Sequence, residues 1–296
     1  MNTSERKCVN EVLALYEFER VKDLYVEGCL DKSIMDWFLQ KHGRRDVTVY
    51  TAEILDVSTE LLGKYHLPFP SNRSKLIALS YELASHHRVS SRVLCVVDRD
   101  FDDVLGKKLQ NRFLTFTDFN SMESYVLAND HVRKFVTVAL GNMTCNIDTL
   151  IKQLIIILKY LFYIRAANER LAWGMKWICP KKYVDVGRDR LIFDHPSFVS
   201  ALLNKNNRHA QGEDLQSAIN YIMAISSSDD RFVIRGHDLM DLLLIIANKW
   251  HLKRKSGDES LVSTCGDISF FSGAFLASLS AEDLACHELF KNVLNM

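Results

Sequence analysis

Two acidic groups in distant parts of the chain have the residue types and spacing of a metal site. The later group, Asp98 and Asp100, directly follows the apolar run Val93–Val97. Such a run predicts a strand buried on both faces, and open α/β sheets bind ligands at the carboxyl ends of such strands. Residues two apart on a strand point the same way, so we expect the two carboxylates to converge on one cation. Without a cation, two carboxylates beside a hydrophobic strand would be costly.

The earlier group, around Glu27, has the same layout of strand, acidic residue and turn. A short apolar strand, Leu24–Val26, ends in Glu27 and Gly28, and Asp31 follows. Gly28 permits a tight turn and a close approach of the backbone to a ligand. Residues 32–40 have apolar side chains at helical spacing, so we expect Asp31 in the turn or the first helical turn. Together the two groups predict a two-part acidic site at one edge of a sheet.

The ligand chemistry favours Mg²⁺ or Mn²⁺ over zinc. Carboxylate oxygens are hard ligands, and the seven cysteines are scattered with no Cys-x-x-Cys pair, which indicates reduced thiols. Cations held by carboxylates stabilise the charge that develops when water attacks a phosphodiester, and they lower the pKa of a bound water. We find no recognisable Ser-His-Asp or Cys-His arrangement and no P-loop motif. The residues therefore predict metal-dependent phosphodiester hydrolysis.

Each acidic residue also has an ordinary structural interpretation. A turn pair at a strand end explains Asp98 and Asp100 without a metal. Glu27 would then accept amides of the following helix, and Asp31 would cap the start of that helix. Phosphatases of the haloacid-dehalogenase type also use a strand ending in Asp-x-Asp, but a Thr or Val normally follows the second Asp, where this chain has Phe101. That class would also leave the earlier acidic group unexplained.

Four segments in order resemble the Toprim (topoisomerase–primase) fold and, more closely, its OLD-nuclease branch. They read VEGCLDKSIMDWFL, VVDRDFDD, FTDFNSMESYVL and VIRGHDLMDLL, at residues 26–39, 96–103, 116–127 and 233–243. These sequence segments resemble those of a bacterial family of single-chain Toprim proteins that includes the nuclease effector of the PARIS anti-phage system. The resemblance covers residues 20–130 and 230–245, and the rest of the chain matches only in length and general character.

The resemblance implies which residues form the site. Glu27, Asp98 and Asp100 would be the catalytic metal ligands, with Asp31 and Glu123 as further ligands. Glu123 also fits a capping box that starts at the Asn or Ser before it, and this alternative stays open.

Three further residues are candidates for contacts with substrate. His237 lies in the matched GHDL segment, after Gly236 at a predicted strand-to-helix turn, where a phosphate would be favoured. Lys182 and Arg188 belong to a basic set on a predicted hairpin, which suits a phosphate backbone. A solvated hairpin surface is the simpler explanation for the two basic residues.

The resemblance further implies a Mg²⁺-dependent endonuclease that acts as the toxic effector of anti-phage immunity. An ABC-type ATPase partner would hold it inactive and release it when infection is sensed, and the nucleic acid substrate would be RNA, particularly tRNA. The active form would be a homodimer, with the helix over 150–164 or over Leu239–Trp250 at the contact unless these helices belong to the core. A DNA-cleaving OLD-type nuclease and a non-catalytic Toprim-like interaction module are the alternatives.

The elements that position these residues predict an α/β fold with a mostly parallel sheet flanked by helices and an additional, largely helical region. We expect strands at 23–27, 46–52, 92–98 and 112–117, and helices at 10–19, 32–41, 73–87 and 121–128. Beyond them we expect helix over most of 131–175 and 197–224, a hairpin of 182–186 with 190–194, and a strand at 231–235 before a helix to residue 253. The domains follow as a Toprim-like metal-binding core over 1–130, a mainly helical insertion over 131–230, and a C-terminal region over 231–296 that could return to the core.

Composition agrees with a folded cytoplasmic protein. Apolar residues make up 48% of the chain, and the 37 basic and 37 acidic residues balance, which neither supports nor excludes a nucleic-acid partner. The polar N-terminus predicts no secretory signal. The apolar run 150–164 is interrupted by Lys152 and Lys159 and is shorter than the ~20 residues of a membrane span, so we expect no membrane association.

Overall fold

A computed structural model describes residues 6–68, 70–86, 89, 92–127, 130–138, 146–187, 190–253 and 268–296. The chain divides into two compact units. Unit 1 consists of Met1–Arg99, Lys108–Asp118 and Ser280–Met296. Unit 2 consists of Asp100–Lys107 and Phe119–Leu279.

Unit 1 is built around a parallel sheet. Its strands are β1 (Lys7–Cys8), β2 (Lys22–Val26), β3 (Thr48–Thr51), β4 (Leu55–Asp56), β5 (Arg92–Val97) and β6 (Leu114–Phe116). The main sheet has the order β3-β2-β5-β6 with every neighbouring pair parallel, and β1 pairs with β4 in a short parallel ladder. The expected mostly parallel α/β fold is confirmed at this level, and the four predicted strands are found within two residues of their expected bounds.

Helices flank this sheet. They are α1 (Val9–Phe18), α2 (Cys29–Lys41), α3 (Thr59–Lys64), α4 (Asn72–Ser85), α12 (Ala281–Ala285) and α13 (Glu288–Leu294). The buried cluster joins Tyr16 of α1 and Leu76 of α4 to Cys95 and Val97 of β5. A run of β-branched residues makes β5 a buried central strand, as its sequence predicts. Apolar burial from both sides therefore fixes the direction in which β5 delivers the residues that follow it.

The strand order places a topological switch between β2 and β5. The chain leaves β2 towards β3 on one side, and it leaves β5 towards β6 on the other side. Connections that diverge from two adjacent parallel strands open a crevice at their carboxyl ends, and open α/β sheets bind ligands in that crevice.

Unit 2 is largely helical, as expected for the second half of the chain. Its helices are α5 (Asp102–Leu105), α6 (His131–Val138), α7 (Ile147–Arg170), α8 (His195–Lys205), α9 (Gly212–Ile225), α10 (Gly236–Lys253) and α11 (Ile268–Leu276). The predicted hairpin is confirmed as the antiparallel pair β7 (Val184–Val186) and β8 (Leu191–Phe193). The apolar run 150–164 lies in α7 and packs inward, since Leu154, Leu158 and Leu161 are buried. Within the described ranges, every helix is too short or too polar to span a lipid bilayer.

Two local predictions in unit 2 are wrong. Residues 231–235 form no strand but the end of a 3₁₀ turn, Asp230–Phe232, and irregular chain. The helix predicted to begin at residue 121 is a 3₁₀ helix, Met122–Leu127, rather than an α-helix. Helix over most of 197–224 is confirmed as α8 and α9, and Asn207 takes a left-handed conformation with φ 55° between them.

Candidate metal centre

The carboxyl ends of β2 and β5 bring the two predicted acidic segments of unit 1 together. The strands are neighbours in parallel register from Lys22 opposite Arg92 to Tyr25 opposite Cys95. Residues just beyond both strands must therefore emerge at the same edge of the sheet. The Asp98 main-chain N–H donates to Oε1 of Glu27 at 2.9 Å. The structure thus places the carboxylate of Glu27 against the segment of Asp98, at the switch between the two strands.

The start of α4 binds the main chain at both strand exits, which are Glu27 directly after β2 and Asp98 directly after β5. Asn72 donates from Nδ2 to the main-chain oxygen of Glu27 at 2.8 Å, and the Arg73 guanidinium donates to the main-chain oxygen of Asp98. Ser71 caps the helix by accepting the N–H of Ser74 at 3.1 Å. The sequence predicts neither Asn72 nor Arg73 as a site residue. A helix that precedes a parallel strand begins at the carboxyl edge of the sheet, and this rule could have found both residues.

Asp31 serves as the cap of α2. Its Oδ2 accepts the main-chain N–H of Gly28 at 2.9 Å, which is the ordinary interpretation left open for this residue. Its role as a metal ligand stays a prediction. Gly28 has φ −134°, a backbone conformation open to any residue, and an added Cβ would lie 3.5 Å from Asp31 Oδ2. The turn after β2 therefore does not require glycine for its conformation.

Asp100 is not part of a strand, so the strand argument for its convergence with Asp98 is wrong. β5 ends at Val97, and Asp100 takes a left-handed conformation with φ 49°. The reason lies in unit 2, where the Asp100 N–H donates to the main-chain oxygen of Asn120 at 3.2 Å. Aspartate tolerates this conformation better than most residues, and such outliers cluster at functional sites. The assignment of Asp100 as a ligand stays a prediction that rests on the resemblance.

Asn120 organises the two matched segments of unit 2. It is buried, and besides accepting the Asp100 N–H it donates from its own N–H to the Arg231 oxygen at 3.1 Å. Its Nδ2 donates to the Ile234 oxygen at 3.0 Å. The side chain and backbone of one asparagine thus bind the carbonyls that a strand partner would otherwise bind, which explains why 231–235 is not a strand.

Glu123 lies against the start of α10. A Cβ added to Gly236 would stand 1.9 Å from Oε2 of Glu123 and 2.6 Å from Oγ of Ser121. The matched segments that contain Glu123 and Gly236 are therefore in direct contact within unit 2. A carboxylate is also favoured electrostatically near a helix start. The structure leaves open both interpretations of Glu123, as a ligand and as a structural acid.

Asp238 forms a buried ion pair two residues after Gly236. It is 4% exposed and accepts from Nε and Nη2 of Arg165, both at 2.7 Å. The guanidinium also lies over the ring of Trp177, 3.7 Å from its centroid. Burial lowers the pKa of Arg165, and the negative charge of Asp238 opposes that shift. The aspartate of the GHDL segment is therefore part of a buried ion pair in unit 2, and removal of either partner would leave an uncompensated charge.

The predicted substrate contacts remain predictions. His237 is exposed on the first turn of α10. Lys182 is exposed at the end of the 3₁₀ turn Pro180–Lys182, and Arg188 lies outside the described residues. Among the residues that the structure describes, no group of three or more His, Cys, Asp or Glu side chains is arranged to hold a metal. The carboxylates of Glu27 and Asp31 each accept a main-chain N–H instead.

The residue types nevertheless suit a hard cation, because Glu27 and Asp98 both carry carboxylates and their segments meet at one edge of the sheet. No protein-family model matches the chain, and no curated protein matches it. What is established is therefore a mixed α/β fold with parallel sheets flanked by helices.

Proposed function

We propose that this protein is a Mg²⁺-dependent endonuclease of the Toprim type, with Mn²⁺ as an alternative ion. The observation that carries the proposal is the meeting of Glu27 and Asp98 at the switch between β2 and β5, with 2.9 Å between the Glu27 Oε1 and the Asp98 nitrogen. Two acidic segments far apart in sequence meet where sheets of this kind bind ligands.

In this proposal, the chain supplies oxygen ligands and orientation. Glu27 and Asp98 would bind the cation through their carboxylate oxygens, and Oε1 of Glu27 also accepts the Asp98 N–H. A bound Mg²⁺ would stabilise negative charge on the phosphodiester and favour deprotonation of a bound water. No protein nucleophile is needed. The resemblance adds Asp100, Asp31 and Glu123 as ligands.

The proposed substrate is RNA, particularly tRNA, on the resemblance to the effector family. His237, Lys182 and Arg188 are the proposed contacts with the phosphate backbone. The same resemblance supports a toxic role in anti-phage immunity, with an ABC-type ATPase as the partner that holds the nuclease inactive. It also supports self-association of the active form as a homodimer.

The decisive experiment is cleavage of plasmid, single-stranded DNA, bulk RNA and purified tRNA in Mg²⁺, in Mn²⁺ and in a chelator. The wild-type chain is compared with Glu27→Ala. A matched control is Glu11→Ala, because Glu11 also accepts a main-chain N–H, that of Cys8 at 2.7 Å, in another part of unit 1. Expression with and without an ABC-type ATPase from the neighbouring gene tests the partner.

We expect RNA cleavage that requires the ion, survives Glu11→Ala and is lost in Glu27→Ala. Cleavage that persists in Glu27→Ala would contradict the proposed site. Cleavage of DNA alone would favour an OLD-type DNA nuclease. Binding of RNA without cleavage, even with the ATPase partner and its trigger, would identify a non-catalytic module. Hydrolysis of small phosphomonoesters but not of DNA or RNA would instead support a phosphatase of the haloacid-dehalogenase type.

A further inference from the structure

We infer that Asn72 and Arg73, the first two residues of α4, are positioning residues of the acidic crevice in unit 1. They fix the main chain at the two strand exits and so fix where the Glu27 and Asp98 carboxylates can reach. The inference rests on the proposed function, because it concerns the geometry of the proposed metal ligands.

Both side chains bind main-chain oxygens just beyond the strands. Neither bond goes to a carboxylate: Asn72 donates to the main-chain oxygen of Glu27, and Arg73 donates to that of Asp98. The main-chain N–H of Asp98 is bound in turn by the Glu27 carboxylate. Asp98 is thus held through both of its main-chain polar groups. The two exits are connected through one rigid helix start rather than through a flexible loop.

The packing of α4 makes this helix start a rigid reference point. Leu76 and Leu79 of its first turns are fully buried in the cluster beneath the sheet, and the Ser71 side chain caps the helix. The Arg73 guanidinium also lies 5.9 Å from the centre of the Phe116 ring at the end of β6. A displacement of the helix start would therefore have to disturb the core.

Strand exits need such a hold for a physical reason. Beyond Val26 and Val97 the strands end, so the following carbonyl groups leave the ladder of the sheet. Side-chain donors replace the lost partners and restrict the backbone dihedrals that aim the next side chain. Residues that orient metal ligands from behind typically change metal affinity by 10–100-fold when they are removed.

The two residues separate geometry from charge. Asn72 is neutral, so its loss alters only the positioning of the Glu27 exit. Arg73 is a cation near the proposed metal ligands, so its loss alone would favour binding of another cation by simple electrostatics. If Arg73 acts by positioning, Arg73→Met should weaken Mn²⁺ binding. If it acts only through its charge, the same change should strengthen Mn²⁺ binding.

The test measures Mn²⁺ affinity by titration followed with electron paramagnetic resonance, on the full chain. It also measures hydrogen exchange at the Asp98 amide in metal-free protein. The variants are Asn72→Ala, Arg73→Met and Arg73→Lys. Matched controls are Asn206→Ala, which removes an Nδ2 bond to the Lys176 oxygen at 3.0 Å in unit 2, and Arg44→Met, which removes a guanidinium bond to the Leu294 oxygen near the amino ends of the strands.

We expect Asn72→Ala and Arg73→Met each to weaken Mn²⁺ binding by roughly tenfold and to speed exchange at the Asp98 amide. Arg73→Lys should recover part of both, and the two controls should change neither. Unchanged or tighter Mn²⁺ binding in both Asn72→Ala and Arg73→Met would overturn the inference. If the wild-type chain binds no Mn²⁺, the proposed metal function fails. The positioning role is then tested by hydrogen exchange alone, and an unchanged exchange rate at the Asp98 amide in the variants would refute it.

Discussion

Glu27 of unit 1 and Asp238 of unit 2 both lie in segments that resemble the Toprim family, and the fold treats them differently. Glu27 is half-buried at a strand exit and accepts a main-chain N–H. Asp238 is 4% exposed inside unit 2 and accepts two bonds from the guanidinium of Arg165. The guanidinium fixes Asp238 inside unit 2 through a buried ion pair, whereas the Glu27 bond to the Asp98 amide links two strand ends at the edge of the sheet.

This difference teaches how to separate structural acids from functional ones within a matched motif. A buried carboxylate paired with a cation belongs to the fold, because removing either partner leaves an uncompensated charge. A carboxylate at the switch of a parallel sheet lies where sheets of this kind bind ligands, which makes it the better candidate for a metal ligand. The resemblance assigns Glu27 as a ligand and gives Asp238 no role, and position and burial are the physical grounds that distinguish the two acids.

The largest expected effect comes from the ligands at the switch. Asp98→Asn and Glu27→Gln should each lower the single-turnover rate of Mg²⁺-dependent RNA cleavage by about 10³-fold, or about 4 kcal/mol, because the cation loses a charged ligand. Chemical denaturation should show little loss of stability. The rate is measured with labelled tRNA at saturating enzyme, after folding of each variant is checked by circular dichroism.

Asp238→Asn is the comparison for these ligand variants. Its cleavage rate per folded molecule should stay within a few-fold of wild type. Equal losses in Asp98→Asn and Asp238→Asn would remove the distinction between the two acids.

The second effect concerns stability alone. Arg165→Met leaves the buried Asp238 carboxylate without its cation, and such a loss typically destabilises a protein by about 3–5 kcal/mol. The double variant Arg165→Met/Asp238→Leu should recover most of this loss, since an apolar pair replaces the ion pair. Urea unfolding followed by fluorescence measures both. If Arg165→Met has the same free energy of unfolding as the wild type, the buried Asp238 carboxylate does not need Arg165.

The third effect tests which kind of acid Glu123 is. Gly236→Ala places a methyl group where the Glu123 carboxylate lies, so this flexible side chain should move. The methyl group also stands 2.6 Å from Oγ of the buried Ser121, so some loss of stability is expected. If Glu123 is a ligand, as the resemblance implies, cleavage per folded molecule should also fall roughly tenfold. The measurement is cleavage rate and urea midpoint on the same preparations.

Glu123→Gln distinguishes the two interpretations of this residue. A ligand should lose activity without losing stability. A cap or helix-start acid should lose about 0.5–1 kcal/mol of stability and keep its activity.

Local signals in the sequence were enough for most of the fold. The β-branched run before Asp98 became a central buried strand. Turn residues between two short apolar runs marked the hairpin of β7 and β8. Each of these depends on residues within a few positions of one another, so periodicity and turn chemistry can detect it.

What failed depends on partners distant in the sequence. Residues 231–235 have the composition of a strand, but Asn120, 114 residues before Ile234, binds their carbonyls in place of a neighbouring strand. Asp100 leaves the extended conformation for the same reason, because its N–H also binds Asn120. A short apolar run predicts that a segment is buried, but it does not show which residues its backbone groups bind.

The candidate site was predicted in part by the same logic. The meeting of the Glu27 and Asp98 segments follows from two strand ends in a parallel sheet, and both strands were predicted. The contribution of Asn72 and Arg73 depends on where α4 begins relative to those ends, which requires the strand order. No residue pattern in α4 itself distinguishes these donors from ordinary helix-start residues.

The smallest expected effect compares the two ends of β2. Glu27 follows the carboxyl end, and Asp23 lies buried near the amino end, where Tyr16 donates to its Oδ2 at 2.7 Å. Burial raises the pKa of Asp23, although the Tyr16 hydrogen bond opposes the shift. The folded state therefore holds the proton of Asp23 more tightly than the unfolded state does. The contribution of this group to stability is full below pH 3.8 and is lost as the pH rises through the raised pKa.

Asp23→Asn should remove this cost and keep an acceptor for Tyr16. The variant should gain roughly 1 kcal/mol over wild type at pH 7, about the value of one hydrogen bond, and the gain should shrink towards pH 4. Asp46→Asn should behave oppositely, because hydrogen bonds from Arg44 and Lys22 lower the pKa of the exposed Asp46. That contribution is full above pH 3.8 and is lost as the pH falls below this value, so the deficit of Asp46→Asn should shrink only there. Thermal unfolding from about pH 2 to pH 7 measures both trends. A gain of Asp23→Asn that does not change with pH would show that burial does not decide how Asp23 titrates.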